Sequence, residues 1–320
     1  MHAPSPRVRP SGANTYARML GQIAILFVAS PAAAEGQRYR ADASTLCNLG
    51  LPDNASNFDM RALVPTLLCA SVMSSEAAIP KSWDSGTRRG TRGYYIELGA
   101  YNGITHSNTL LLESCFGWDG TLIEGNPRNF HLLKTHSGRG GSLLHSAISS
   151  DCRDGKVNYT NAGGEISGVA ADLLPMLHGY RASTIGRGGI STVPCTTLGA
   201  VLETAGMDEL DLLSLDVEGH EVPVLQTMAN LSAIKVAVIE IAGSQKKREQ
   251  IESLLSRAGL QRVEALEVAA QKGRGANDVY VRADVLKRCH TPVYRWGTPM
   301  AWARHGSRAR SVLVGDDESM

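Results

Sequence analysis

Short apolar strands alternating with helices constrain this chain's fold more than any other feature. Tyr94-Tyr95-Ile96-Glu97-Leu98 reads as a buried strand that runs into a turn, Gly99 to Gly103. A helix is expected next, from Thr105 or Ser107, either a good N-cap, through to Cys115. The pattern then repeats. Gly120 to Glu124 is a second strand, and Asn126-Pro127 caps and opens a helix to His136. Ser142 to Ile148 is a third strand, and Leu210 to Asp216 a fourth, followed by a helix from His220 to Met228. Lys235 to Ile241 is a fifth, and Lys246 to Ala258 a charged-faced helix that stops at Gly259. Gln261 to Val268 and Val279 to Ala283 close the pattern as an antiparallel C-terminal hairpin. Such alternation predicts an α/β fold, a doubly wound, mostly parallel, seven-stranded sheet with helices on both faces. Ligands of such sheets bind beyond the carboxyl ends of the strands.

The rest of the chain is arranged around this pattern. Residues 1–34 carry Arg7, Arg9 and Arg18 and no acid, then an apolar run from Met19 to Ala29, then Ala32-Ala33-Ala34 before Glu35. That is the layout of a signal peptide, with a short anchor or an organellar transit peptide as alternatives. Residues 35–90 read as a stem with a helix over Asp59 to Met73, residues 91–285 as the domain that holds the sheet, and residues 286–320 as a disordered tail. Lys156 to Asn161 is an extra strand, and the Gly- and Ser-rich stretch from Gly163 to Gly189 a lid on the substrate side. The six cysteines and the sequons at Asn54, Asn158 and Asn230 suit an oxidising, secretory compartment. A net charge of +1 removes any electrostatic case for nucleic acid. Contact with a membrane is expected only through an N-terminal anchor.

Three motifs fall at strand ends. Glu97-Leu98-Gly99-Ala100-Tyr101-Asn102-Gly103 joins an acid to a turn with glycines four apart, where backbone N–H groups can approach a ligand and a following helix favours an anion. Glu124 ends the second strand, where an acid can accept both hydroxyls of a ribose. Asp216-Val217-Glu218-Gly219-His220-Glu221 packs acids behind an apolar strand. Glu221 suits a helix's first turn; a strand-end Asp216 is costly unless engaged. No G-x-G-x-x-G occurs, which disfavours a dinucleotide enzyme.

In this order the three motifs resemble the FkbM family of methyltransferases, from about Tyr94 to Ala283. The resemblance is carried by Glu97-Leu98-Gly99-Ala100 through Ser107-Asn108-Thr109 and by Leu215-Asp216-Val217-Glu218-Gly219-His220-Glu221, with Val238-Ile239-Glu240-Ile241 and Asn277-Asp278-Val279-Tyr280 in support. It implies the Rossmann-like class I methyltransferase fold and S-adenosylmethionine as cofactor. Glu97, Gly99, Ala100 and Gly103 would then lie along the methionine part, Glu124 at the ribose, Ala147 and Ile148 beside the adenine, and Asp216 beside the methyl group. Tyr101 stands where class I enzymes commonly have a glycine, and Ser214 where many members of the family have lysine.

The reaction implied is O-methylation of a hydroxyl on a sugar, glycan or related small molecule, with no metal. Methyl transfer to a hydroxyl rests on positioning and on acceptance of the hydroxyl proton. Asp216 is the first candidate for that base, with Glu218 and His220 behind it; His106 could also face the site. The alternative is a non-catalytic interaction or trafficking protein of the Star-like kind on the same fold.

Overall fold

The computed structural model describes residues 60–73, 93–160, 166–176, 189–241, 245–270 and 277–289. The expected leader, the first sequon, the sixth cysteine at Cys47 and most of the tail lie outside the described residues. Among those residues no helix is long and apolar enough to cross a membrane.

A 3-10 turn at Met60–Ala62 leads into α1 (Val64–Val72), close to the expected helix. The core follows as β1 (Tyr94–Leu98), α2 (Leu110–Phe116), β2 (Asp119–Glu124), α3 (Pro127–His136) and β3 (Ser142–His145). An inserted region holds β4 (Ala147–Ile148), β5 (Lys156–Thr160), β6 (Gly168–Val169), α4 (Ala170–Met176) and β7 (Ile190–Thr196). The core resumes with α5 (Leu198–Thr204), β8 (Leu210–Leu215), α6 (Glu221–Gln226), β9 (Ile234–Glu240), α7 (Gln245–Arg257), β10 (Leu260–Arg262), α8 (Glu264–Ala270), β11 (Asn277–Arg282) and α9 (Ala283–Arg288).

Seven strands form the main sheet in the order β10-β11-β9-β8-β1-β2-β3. β3, β2, β1, β8 and β9 run parallel, and β11 and β10 are antiparallel to their neighbours. Period-2 alternation splits the core into two apolar layers. Tyr94, Ile96, Leu98, Leu213, Leu215, Ala237 and Ile239 pack with α5, α6 and α7 on one face. Tyr95, Leu212, Val236, Val238, Val279 and Val281 pack with α1, α2, α3, α8 and α9 on the other. Helices thus cover both faces, which explains why the central strands read as continuous apolar runs rather than alternating ones.

Four expectations need correction. The third strand breaks at Ser146, whose N–H donates to the Glu124 carbonyl at 3.2 Å. Ala147–Ile148 thereby leave the main sheet for a second, four-stranded one in the order β4-β7-β5-β6. The stretch expected as one long lid from Gly163 carries β6 and α4, because Val169 and Leu173 have apolar faces to bury. The expected Gln261–Val268 strand stops at Arg262; helix α8 intervenes before β11, so the antiparallel pair is not a simple hairpin. Finally, α2 starts at Leu110 rather than Thr105 or Ser107, though Ser107 Oγ still accepts from Leu110 N at 3.2 Å.

Disulfides tie the outer layers to the core. Cys69 on α1 bonds Cys289 just beyond α9, across a separation of 220 residues. Cys152 bonds Cys195 within the inserted sheet, and Cys115 on α2 is disulfide-bonded as well. A buried ion pair supports the amino-terminal end of the sheet: Lys235 Nζ donates to Asp211 Oδ1 at 2.8 Å and to the Ala70 carbonyl at 3.1 Å.

Candidate active site

β1 is the strand at which the sheet order reverses direction: β2 and β3 lie on one side of it and β8 and β9 on the other. A cavity of about 200 Å³ opens there, beyond the carboxyl ends of β1, β2, β8 and β9. It is the position that open α/β sheets reserve for ligands.

The turn after β1 forms its floor. Gly99 has φ +77°, and a Cβ on it would stand 1.8 Å from the Asp216 carbonyl oxygen, so only glycine fits. Gly99 N and Ala100 N both donate to the Ile123 carbonyl at 3.1 Å, and Gly103 N returns to the Ala100 carbonyl at 2.7 Å. Gly99 lines the cavity, whereas Ala100 and Gly103 are absent from its wall. Ala100 packs into the core, and Gly103, also at φ +77°, lies against Leu133 and Ser137. Their part is to shape the turn. Tyr101 adopts φ +50°, a left-handed conformation that glycine would take freely. His106 and Glu218 share that rare region, so three of the four such non-glycine residues in the described chain line this cavity. Strained backbone gathers at functional sites, and here it marks one.

Two strand-end carboxylates differ in what they have left to offer. Glu97 is buried and tied to one loop: Ser107 Oγ donates to Oε2 at 2.9 Å, Asn108 N to Oε1 at 3.0 Å, and Thr109 Oγ1 to Oε2. The Arg139 guanidinium, itself 2% exposed, stands 4.0 Å from Glu97 and donates to Glu113, Ser107 Oγ, Thr109 Oγ1 and the Gly103 carbonyl. Glu97 therefore clamps the loop from Ser107 to Thr109, and that loop presents Asn108. The Asn108 side chain donates to Ser214 Oγ at 3.0 Å, while its Oδ1 is buried with no hydrogen-bond partner. Arg139 was not singled out in the sequence, and Asn108 entered only within the Ser107-Asn108-Thr109 stretch, with no role of its own. A basic residue in the loop after α3 gives no periodic signal, and only the fold reveals that it is buried.

Glu124 holds the turn from the other side. Its Oε2 accepts from Tyr101 N at 2.8 Å and its Oε1 from Asn126 N at 2.7 Å. Burial pushes its carboxyl up to about 7 despite those donors. Gly125 N–H also donates to the carboxylate, and of its four lone-pair positions one stays open. Ala147 and Ile148 line the same wall.

The opposite wall is acidic. Desolvation, then the hydrogen-bonded Glu240 carboxyl, pushes Asp216 well above the usual carboxylate range, with Glu218 and Glu221 adding to the shift. Glu221 accepts from Gly219 N at 2.8 Å, and burial raises it to about 7. His220 also lines the cavity; its Nδ1 lies 2.5 Å from Asp172 Oδ2 on α4, and its buried Nε2 has no hydrogen-bond partner. The inserted region thus reaches the site: Tyr159, Ser167, Gly168 and Val169 form one side of it. Among the described residues no group of His, Cys, Asp or Glu is arranged to hold a metal ion.

The model of the methyltransferase FkbM domain matches residues 97–263. Solved structures with a related outline include the methyltransferase FkbM from Methylobacillus flagellatus KT, 12% identical over 62% of this chain and 46% of that one, TM-score 0.36. The chain accordingly spans under half the length of that structure. Others are a human methyltransferase 10 domain containing protein, 11% identical over 68% of this chain and 81% of that one, TM-score 0.31, and the mitomycin 7-O-methyltransferase MmcR, 11% identical over 70% and 54%, TM-score 0.28. Likenesses this distant carry no argument about activity. No curated protein matches the chain. The family model covers more than half of the chain and both of its most specific motifs, and the chain belongs to the methyltransferase FkbM domain family.

Proposed function

We propose that this protein transfers a methyl group from S-adenosylmethionine to a hydroxyl oxygen, on a sugar, glycan or related small molecule. The observation that carries the reading is Glu124. It is a buried strand-end carboxylate, bound to the N–H groups of Tyr101 and Asn126, at the cavity wall with acceptor capacity to spare. A vicinal diol such as a ribose is the ligand such a group suits.

The residues present fit the cofactor. The unpartnered Asn108 Oδ1 is a buried acceptor that leaves about 1–3 kcal/mol uncompensated until a donor reaches it, and the α-ammonium of the cofactor is such a donor. Glu97, with its oxygens engaged by Ser107, Asn108 and Thr109, supports that contact instead of making it. Ala147 and Ile148 offer apolar contact for a purine. The bound cofactor would supply an electrophilic methyl group on sulfur; this chain's residues hold it, exclude water and orient the acceptor. The acidic groups Asp216, Glu218 and Glu240 on the opposite wall disfavour an anionic acceptor and favour a neutral polyol. The disulfides at Cys69–Cys289 and Cys152–Cys195, the exposed sequon residues Asn158 and Asn230, and the leader-like first 34 residues support a secretory setting.

Calorimetric titration with S-adenosylmethionine and S-adenosylhomocysteine tests the reading. Micromolar-range binding, followed by label transfer to a panel of glycosides, is expected. Folded protein that binds neither would point to the non-catalytic, interaction-type alternative.

A further inference from the structure

We infer that His220, oriented by Asp172 of the inserted region, is the group that accepts the proton of the methyl acceptor. The inference rests on the proposed methyl transfer and names the base within it.

The geometry is specific. Asp172 Oδ2 lies 2.5 Å from His220 Nδ1. A carboxylate there takes the proton on Nδ1 as its hydrogen bond, and the neutral ring then carries its lone pair on Nε2. That Nε2 is buried and has no partner among the described residues, while His220 lines the cavity beside Asp216 and Glu218. A buried acceptor left unpaired costs free energy that a ligand's donor recovers. The His220 side chain is 1% exposed, so bulk water does not serve it. The backbone also commits to this placement: Glu218 at φ +53° and Gly219 at φ +99° bend the chain immediately ahead of it.

Asp216 is less suited to the same task. Its carboxyl is already engaged in a hydrogen bond with the Glu240 carboxyl, whereas His220 Nε2 is not engaged. The proposed step balances as follows. The hydroxyl oxygen of the acceptor forms a bond to the methyl carbon, the carbon–sulfur bond breaks with its electron pair on sulfur, and the hydroxyl proton passes to His220 Nε2. Asp172 then faces an imidazolium, which its carboxylate stabilises. Asp172 is a positioning residue in this scheme, because it meets neither substrate nor cofactor.

The test uses the full chain labelled with 15N-histidine, with His220 assigned among the nine histidines by His220→Gln. At pH 8 the His220 resonances are expected to report a protonated Nδ1 and a bare Nε2. Asp172→Ala should mix or reverse that tautomer, and Asp172→Glu should restore it; a purely structural role would leave the tautomer unmoved. Sinefungin, the cofactor analogue with an ammonium at the methyl position, should shift Nε2, and S-adenosylhomocysteine should not. If both analogues bind and Nε2 responds to neither, the base is not His220 and the cofactor reading stands. If neither binds, the cofactor reading fails and the base assignment falls with it. A protonated Nε2 in the unaltered protein would overturn the inference without any variant.

Discussion

The α-carbon of Gly99 and the carbonyl of Asp216 are in such close approach that a single methyl group on Gly99 would lie 1.8 Å from the Asp216 oxygen. The first and third motifs of the site are thereby fixed against each other through backbone alone, with Asp216 N also donating to the Leu98 carbonyl at 3.2 Å. Gly99→Ala must both separate the ends of β1 and β8 and hold an alanine at φ +77°. We expect a loss of about 3 kcal/mol or more in urea denaturation, with cofactor binding abolished. Gly117→Ala is the control, since Gly117 has φ +66° and nothing within 4 Å of an added Cβ. It should cost only about 1 kcal/mol. Equal losses would show that the approach to Asp216 is unimportant.

Arg139 is the strut of the second layer. Its guanidinium donates to Glu113 at 2.8 Å, to the Gly103 carbonyl at 2.7 Å, to Ser107 Oγ at 2.9 Å and to Tyr95 Oη at 3.0 Å. Arg139→Leu would leave Glu97 and Glu113 without their cation in a buried setting. A destabilisation of about 3–5 kcal/mol is expected, and Arg139→Lys should recover little, because one ammonium cannot reach these partners and Thr109 Oγ1 together. Chemical denaturation of the two variants separates the charge from the fork geometry: full rescue by lysine would reduce Arg139 to a point charge.

Much of this architecture was legible in the residues. Strands survive within a residue of their expected places at Tyr94–Leu98, Asp119–Glu124, Leu210–Leu215 and Ile234–Glu240, whose apolar runs end at or beside an acid or a glycine. Strand-end acids mark where a buried element meets a ligand or solvent, so Glu97, Glu124 and Asp216 announced the cavity. What stayed illegible depends on pairing across distance. Ser146 separates two strands because of a hydrogen bond to Glu124, not because of its own propensity. Lys235 sits inside a strand at 0% exposure only because Asp211 and Glu209 reach it, and no periodic pattern encodes that. Asp172 belonged to a stretch expected to be a loop, so its contact with His220 was invisible until α4 formed. The distinct partners of Glu97 and Glu124, one held by the Ser107–Thr109 loop and one by backbone N–H groups alone, likewise follow from loops whose course the sequence did not predict.

The Cys69–Cys289 bond closes a loop of 220 residues, joining α1 to the turn beyond α9. Constraining so long a loop limits the unfolded ensemble strongly. The double variant Cys69→Ala/Cys289→Ala should lose about 2–5 kcal/mol in denaturant unfolding, while affinity for S-adenosylhomocysteine holds, since both residues lie away from the cavity. A variant as stable as the parent would mean that α1 and α9 are held by packing alone.

Glu124 gives the site a pH dependence whose sign can be worked out. Its carboxyl titrates near 7 in the fold, against about 4.5 in an unfolded chain, because burial disfavours the charge. The folded state therefore binds its proton more tightly. The stabilisation this brings is complete below about pH 4.5 and is lost as pH rises through about 7. Glu221, raised to about 7 by burial, adds in the same direction. The ligand-free protein should accordingly melt at a lower temperature at pH 8 than at pH 5.5, with up to about 3 kcal/mol at stake per carboxyl, and Glu124→Gln should flatten the slope. Binding runs the other way. Ribose hydroxyls donate to the ionised carboxylate, so S-adenosylhomocysteine should bind up to about tenfold tighter at pH 8 than at pH 6, with proton release near pH 7. Calorimetry in two buffers of different ionisation enthalpy measures that proton directly. An affinity that is level from pH 6 to pH 8, with no proton released, would remove Glu124 from contact with the ribose and leave it the task of holding the Tyr101 and Asn126 backbone alone.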